Sequence, residues 1–212
     1  MTNKSTHSRP QSFGPKLIGT DGNAMVEFAM VFPAMVAMLL GVMSGGLALD
    51  RYLTMVQLTR TGGSMYIRGV DWLQPNNVDV LLKTGPGLDI TPDGGKGVVY
   101  FSKVTQGAVG SENEGYLVVT ERFEIGDPAV AESTVASPDS AIWPDPANTN
   151  PNGDVGNFNE EISARATLSS AFEGLEAGEF LFVIEAHHVP DTVPFMNSYI
   201  PPPGKLSTRL TY

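Results

Sequence analysis

The 212-residue chain contains no cysteine. That excludes a disulfide scaffold, thiolate zinc and iron–sulfur sites and a cysteine nucleophile together. It leaves the compartment open, because oxidising compartments permit disulfides without requiring them. Charge is scarce as well, 17% of residues against roughly 25% in an average soluble domain. What charge there is runs negative: 13 Lys and Arg face 23 Asp and Glu, a formal net of −10. The basic surface that neutralises phosphates is therefore missing, and nucleic acid is not an expected partner. No Gly-x-Ser-x-Gly elbow, P-loop or His-Glu-x-x-His motif occurs, so no catalytic residue is assigned and no enzyme is expected. The length suits one folded unit plus its ends.

The missing charge is concentrated in one place. From Phe28 to Leu49, 22 consecutive residues carry no Asp, Glu, Lys, Arg or His, and a helix of that length reaches about 33 Å, enough to cross a bilayer core. A cleavable secretory signal has an apolar region of only about 7–15 residues and ends at a small-x-small site. This run is longer, and Ala48 between Leu47 and Leu49 makes a poor site, so a membrane helix is expected. Lys4, Arg9 and Lys16 precede the run, whereas all the acidic residues except Asp21 and Glu27 follow it. Retention of basic flanks in the cytoplasm predicts a cytoplasmic N-terminus and an exported C-terminal part.

Before the run the chain reads Asp21-Gly22-Asn23-Ala24-Met25-Val26-Glu27-Phe28. Taken singly, Glu27 has two readings: a carboxylate of the first helical turn favoured by the helix dipole, or a functional carboxylate at the lip of a membrane helix, where charge is costly. Around it stand a glycine five residues earlier, a short basic leader and an immediate apolar stretch. Neither Gly14 nor Gly19 has an acid five residues on. The arrangement resembles the cleavage region of type IV prepilins, in which a membrane aspartyl peptidase cuts after Gly and leaves Glu as the fifth mature residue. Asn23 and the Glu27-Phe28 pair bring it closer to the Tad (tight adherence, Flp) class. Phe28 in place of the Tyr of the major pilins, the following Ala29-Met30-Val31-Phe32-Pro33 and the length of the chain are most similar to the TadE/TadF-like minor pilins or pseudopilins. The resemblance covers about residues 14–60.

It implies cleavage between Gly22 and Asn23 and an assembly role for Glu27 and Phe28. The implied partners are a prepilin peptidase, major and other minor Tad pilins, an inner-membrane assembly platform and membrane lipid. Within the helix, Pro33 predicts a bend that a membrane helix tolerates. Gly41 and Gly45 form a small-x₃-small pair suited to close helix packing, although glycine is common in membrane helices generally. Met25, Met30, Met35, Met38 and Met43 read as adaptable apolar filler.

Past Leu49 the helix continues in more polar form, with Tyr52, Met55, Val56 and Met65 near helical spacing. Thr61-Gly62-Gly63 is expected to weaken it, Asp71-Trp72-Leu73 to extend it and Gln74-Pro75-Asn76-Asn77 to end it. A short second segment then covers Val78 to Lys83. Four strands are expected, at Val98–Phe101, Tyr116–Phe123, Phe180–Val189 and Leu206–Tyr212. Between the second and third, Gly126 to Asn159 reads as a long surface excursion. Ile162, Ala166 and Leu175 allow a short helix before Gly178.

Two groups in this part resemble ligand sets. Glu185 and His187 share a strand face, with His188 beside them, but flanking Val residues and the lack of further His nearby favour a structural strand with exposed imidazoles. Asn148-Thr149-Asn150-Pro151-Asn152-Gly153 has the spacing of a calcium loop, yet it lacks the leading Asp, contains Pro and places Asn159 where a bidentate Glu is needed. No metal or cofactor is expected. The fold expected is α+β and pilin-like: a leader over 1–22, a transmembrane helix over 23–49, a helical extension over 50–83 and a small antiparallel β-rich domain over 84–212. The competing reading is an uncleaved single-pass anchor carrying an envelope binding domain, and a membrane-anchored hydrolase is disfavoured by the missing motifs.

Overall fold

The computed structural model describes residues 21–135, 153–166, 168, 175–176, 178–190 and 204–212. The chain divides into a unit ending at Met43 and a unit running from Ser44 to Tyr212. Helix α1 (Asp21–Ile67) begins in the first and ends in the second. In the first unit, Ala24 to Met35 are all exposed, which follows from a sequence that is apolar all round. No helix face is polar enough to seek water, and none has protein to bury against.

In the second unit, α1 acquires a buried face. Met55, Leu58, Thr59, Gly62, Gly63 and Tyr66 recur at helical spacing and are buried. Thr59 is satisfied there, its hydroxyl donating to the carbonyls of Met55 and Val56 at 3.1 and 3.0 Å. The glycine pair expected to weaken the helix is instead where it meets the sheet. A Cβ on Gly62 would lie 2.8 Å from the Phe101 ring, and one on Gly63 would lie 2.5 Å from the Tyr212 ring. The missing side chains allow the close approach, and α1 runs unbroken through both.

The end of α1 comes earlier than Gln74. Gly69 takes φ +73, its N–H bonds to the Tyr66 carbonyl at 2.9 Å, and the Val70 N–H bonds to that of Met65 at 3.1 Å. This paired closure is the glycine-dependent helix stop. Asp71-Trp72-Leu73 accordingly turns instead of extending the helix, and Trp72 stacks on Phe101 with centroids 4.6 Å apart. Gln74-Pro75 starts an element where an end was expected, because Pro at the first helical position loses no hydrogen bond. Helix α2 (Pro75–Leu82) buries Val78 and Leu81.

A small hairpin, β1 (Ile90–Thr91) with β2 (Gly94–Gly95), leads into a four-stranded antiparallel sheet. Its strands are β3 (Gly97–Gln106), β4 (Leu117–Gly126), β5 (Leu181–His188) and β6 (Leu206–Thr211), in the order β4-β3-β5-β6. All four expected strands are present, within an α+β fold. The register sets Phe101 opposite Phe123 and Ile184, and Tyr100 opposite Glu124 and Glu185, with a bulge between Lys103 and Val104. One face carries Val99, Phe101, Ile184 and Ala186 into a core with Met55, Leu58, Tyr66, Trp72, Leu81 and Leu88.

The opposite face is also covered, which corrects two expectations. The stretch after Gly126 returns onto the sheet, burying Ala131, Ser133 and Val135, so its first part is a strap and not a surface excursion. Val135 joins Val104, Val119, Leu181 and Val183 in a second cluster. Under this cover the His187 imidazole is buried at 5% exposure, and His188, on the opposite face by the alternation of the strand, is buried at 2%, so neither is exposed. Of the short helix expected from Ile162 toward Leu175, the first residues form a 3₁₀ turn, Ile162–Ala164, and 167 and 169–174 lie outside the described residues. Of the calcium-like stretch, Asn148 to Asn152 lie outside the described residues. Gly153 is engaged at the sheet edge, where its carbonyl accepts from the Arg122 N–H at 2.8 Å.

Candidate functional site

The residues singled out for function lie on α1. Gly22 and Asn23 fall within its first turn, and Glu27 and Phe28 are exposed one turn further on. The Phe28 and Phe32 rings meet at 5.5 Å, the spacing that an i, i+4 pair produces on a helix surface. Pro33 is inside the helix. At Gly41, Gly45 and Gly46 an added Cβ would meet nothing within 4 Å, so these glycines present open backbone. Met25, Met30, Met38 and Val42 are each more than 70% exposed. Among the described residues one helix, Ala24–Ile67, is long and apolar enough to cross a membrane, with a mean hydropathy of 2.1 in an 18-residue window that is 0% buried. What such a surface can do physically is partition into lipid and pack against other helices.

The second unit holds two polar constellations, only one of them touched by sequence reasoning. On the strap-covered face, Glu185 is 1% exposed. Its carboxylate accepts from the Ser133 hydroxyl at 2.5 Å, from the Thr134 N–H at 3.1 Å and from the Thr134 hydroxyl, and it pairs with Arg209 at 3.3 Å. The Tyr100 hydroxyl donates to the Ala131 carbonyl at 2.6 Å, and burial pushes its phenol up to about 12. Arg122 lies over the Tyr100 ring at 4.8 Å, and burial lowers its guanidinium below the usual value in spite of Glu124. His187 places Nδ1 2.9 Å from the Ser207 hydroxyl. These interactions are all internal; those of Ala131, Ser133 and Thr134 fasten the strap to the sheet, and the others join its strands. Among the described residues no group of three or more His, Asp or Glu is placed to hold a metal ion.

The second constellation went unseen in the sequence, because its members are scattered from Tyr66 to Phe182. At the C-terminal end of α1 a cleft of about 500 Å³ is lined by Tyr66, Phe123, Phe182, Lys103, Glu121 and Asp154, among others. Burial pushes the Glu121 carboxyl above its ordinary range, with Lys103 opposing and Asp154 adding to the shift. Tyr66 is 5% exposed; burial raises its phenol far above the ordinary value, and the Glu121 carboxylate, its side-chain hydrogen-bond partner, adds to the shift.

A long exposed apolar helix with a small antiparallel domain defines the architecture. Residues 22–64 match the family model described as TadE-like protein. The match begins at Gly22 and ends in the sheet-packed part of α1. It supports a Tad pilus-associated protein and, with the apolar helix, a membrane-anchored one. No curated protein and no solved structure matches the chain.

Proposed function

We propose that this chain is a minor pilin or pseudopilin of a Tad pilus, cut after Gly22 by a prepilin peptidase and then incorporated into, or priming, the filament that mediates surface adherence. The observation that carries this reading is the coincidence of three starts. The Gly22-to-Glu27 spacing, the TadE-like segment and an apolar helix with no protein packed on it all begin within a few residues of one another. Residues 1–22 are then a leader, 23–49 the membrane helix, 50–83 its extension and 84–212 an exported domain, with the N-terminus held in the cytoplasm by its basic residues. The role is structural, not catalytic.

Cleavage creates an α-amino group on Asn23, positively charged at neutral pH with a reference pKa near 8. It lies four residues from the Glu27 carboxylate. In a filament the mature N-terminus of one subunit neutralises Glu27 of its neighbour, since leaving either charge buried alone costs on the order of 3–5 kcal/mol. Phe28 packs beside this pair, the open backbone at Gly41 and Gly45 lets neighbouring helices approach, and Pro33 supplies a bend.

The N-terminal residue of the mature protein tests the reading. Asn23 is expected, and Gly22→Val should block processing, because only a small residue lets the scissile carbonyl reach the peptidase carboxylates. An intact Met1 in cells containing the peptidase would favour the uncleaved anchor. A periplasm-active reporter fused after Tyr212 should be active. Glu27→Ala should leave cleavage intact while abolishing piliation, and normal piliation would reduce Glu27 to a helix-start residue.

A further inference from the structure

Charge returns to α1 abruptly where the apolar run stops. Asp50 and Arg51 directly follow Leu49, and exposed apolar surface continues past them: Leu47 and Leu49 before the pair and Tyr52 and Leu53 after it are each more than 40% exposed. A tyrosine three residues beyond an apolar span stands at headgroup depth in a bilayer. One loop of the folded domain comes back to this level. After α2, Gly85-Pro86-Gly87 packs along α1, with Gly85 against Leu58 and Gly87 against Arg51. Gly87 has φ +78, and a Cβ there would overlap the Arg51 guanidinium, so the guanidinium lies on backbone that only glycine leaves bare. Its Nη1 donates to the Pro86 carbonyl at 3.4 Å. Among the described residues that is the one hydrogen bond of the Arg51 guanidinium, a group with five N–H donors, and the residue is half-buried.

We propose that this place is a phospholipid headgroup site: the Arg51 guanidinium bridges the Pro86 carbonyl and a lipid phosphate, and so seats the Gly85-Pro86-Gly87 loop on the bilayer surface. Depth decides the occupant. An arginine at the end of an apolar helix keeps its stem in apolar surroundings and its head at the interface, where the acceptors are phosphates, and a guanidinium fits a phosphate with paired N–H bonds. Asp50, exposed beside Arg51, fits the ammonium of an ethanolamine headgroup, so a zwitterionic lipid answers both charges where an acidic one answers only Arg51. The contact is continuous with the exposed apolar surface of α1 and extends it onto the domain. The inference rests on the membrane reading of the apolar run, and neither on cleavage nor on the pilus.

The test uses the full chain in liposomes of phosphatidylethanolamine and phosphatidylcholine, and in maltoside micelles, which contain no phosphate. In liposomes, magnetisation transfer from arginine Nε–H protons to lipid phosphorus is expected at Arg51 and not at Arg60, which is exposed on the same helix about 13 Å further along. Hydrogen exchange of the Gly85 and Gly87 amides should be about tenfold slower in liposomes than in micelles, the effect of one charge-assisted contact. Arg51→Gln should remove that difference, and inorganic phosphate added to the micelles should not reproduce it. Retained methyl dispersion of Leu58 and Ile184 identifies folded variants. A spin label on the acyl chains tests the underlying reading separately, through broadening of the Leu39 and Val42 methyls. Without that broadening the membrane reading falls and the proposal with it. Broadening there with no phosphorus transfer at Arg51, equal transfer at Arg60, or slowing by free phosphate alone overturns the headgroup site and leaves the membrane helix standing.

Discussion

The two faces of the four-stranded sheet are both buried, yet they are held by different forces. The α1 face is apolar: Phe101 and Ile184 are 0% exposed beneath Met55 and Leu58, and the helix comes close because Gly62 and Gly63 lack side chains. Burying a Phe or Ile fully contributes about 1.5–3 kcal/mol each, without demanding a particular partner. The strap face buries Glu185, Arg122, His187 and Tyr100. There the polar groups depend on their bonds, because an unmade one costs more than a made one contributes. The α1 face should therefore tolerate repacking of similar volume and resist added volume. The strap face should tolerate neither loss nor rearrangement of its donors and acceptors.

The largest expected effect sharpens that contrast from the polar side. Glu185→Ala leaves the Ser133 and Thr134 hydroxyls without their acceptor, and Arg209 without its partner. A loss of about 3 kcal/mol is expected in equilibrium denaturation of the full chain in detergent. Glu185→Gln keeps one acceptor oxygen and should lose less. Protease sensitivity within the strap, residues 127–135, should rise with Glu185→Ala. A cost no larger than that of an ordinary surface substitution would break the comparison, showing that the strap is held by Ala131 and Val135 and not by Glu185.

On the apolar side the expected effect is smaller. A Cβ at Gly62 would meet the buried Phe101 ring at 2.8 Å and Leu81 at 3.2 Å, so Gly62→Val should cost about 1–3 kcal/mol by overpacking. Gly41→Val, where nothing lies within 4 Å, should leave the unfolding of the domain unchanged. Equal effects at the two glycines would mean that helix propensity, not contact with the sheet, decides.

The α1 face was legible in the sequence and the strap face was not, for a physical reason. Apolar residues at helical or alternating spacing report the face they bury, so Met55 and Met65, the four strands and the exposed length of α1 could be anticipated from pattern alone. Burial of His187 depends on a strap more than 50 residues earlier in the chain, and nothing local to β5 announces it. The turn of α1 at Gly69 carries only a weak local signal, a lone glycine, and Asp71-Trp72-Leu73 mask it by continuing the apolar pattern toward Gln74. The cleft combines Tyr66, Glu121 and Asp154 through register across three segments, and register is a property of the folded sheet. Gly22, Glu27 and the apolar run are the opposite case. Their spacing along the chain is itself the signal.

The smallest effect comes from protons, and its two contributions have opposite signs. Burial lowers the His187 imidazole below 6.5, with Lys205 and Arg209 adding to the shift and Glu185 opposing it; its ring also faces Tyr100 at 6.1 Å and Ser207. The unfolded chain thus takes up that proton first. Stability from His187 is complete above pH 6.5 and is lost as pH falls from 6.5 through the depressed folded value. Glu121 does the reverse. Burial raises its carboxyl above 4.5, so the folded chain is protonated first, and the stability it contributes is complete below pH 4.5 and lost as pH rises through the elevated folded value. On acidification from neutrality, the strap face loosens while the cleft on the α1 face relaxes. Thermal unfolding followed between pH 7.5 and 4.5 should separate them. His187→Gln should flatten the fall in melting temperature below pH 6.5, whereas Glu121→Gln should raise the melting temperature at neutral pH and steepen the fall, because the compensating gain is gone. If Glu121→Gln lowers the neutral melting temperature instead, the carboxylate is stabilised by Lys103 more than burial penalises it, and the difference between the two faces is one of geometry and not of electrostatic cost.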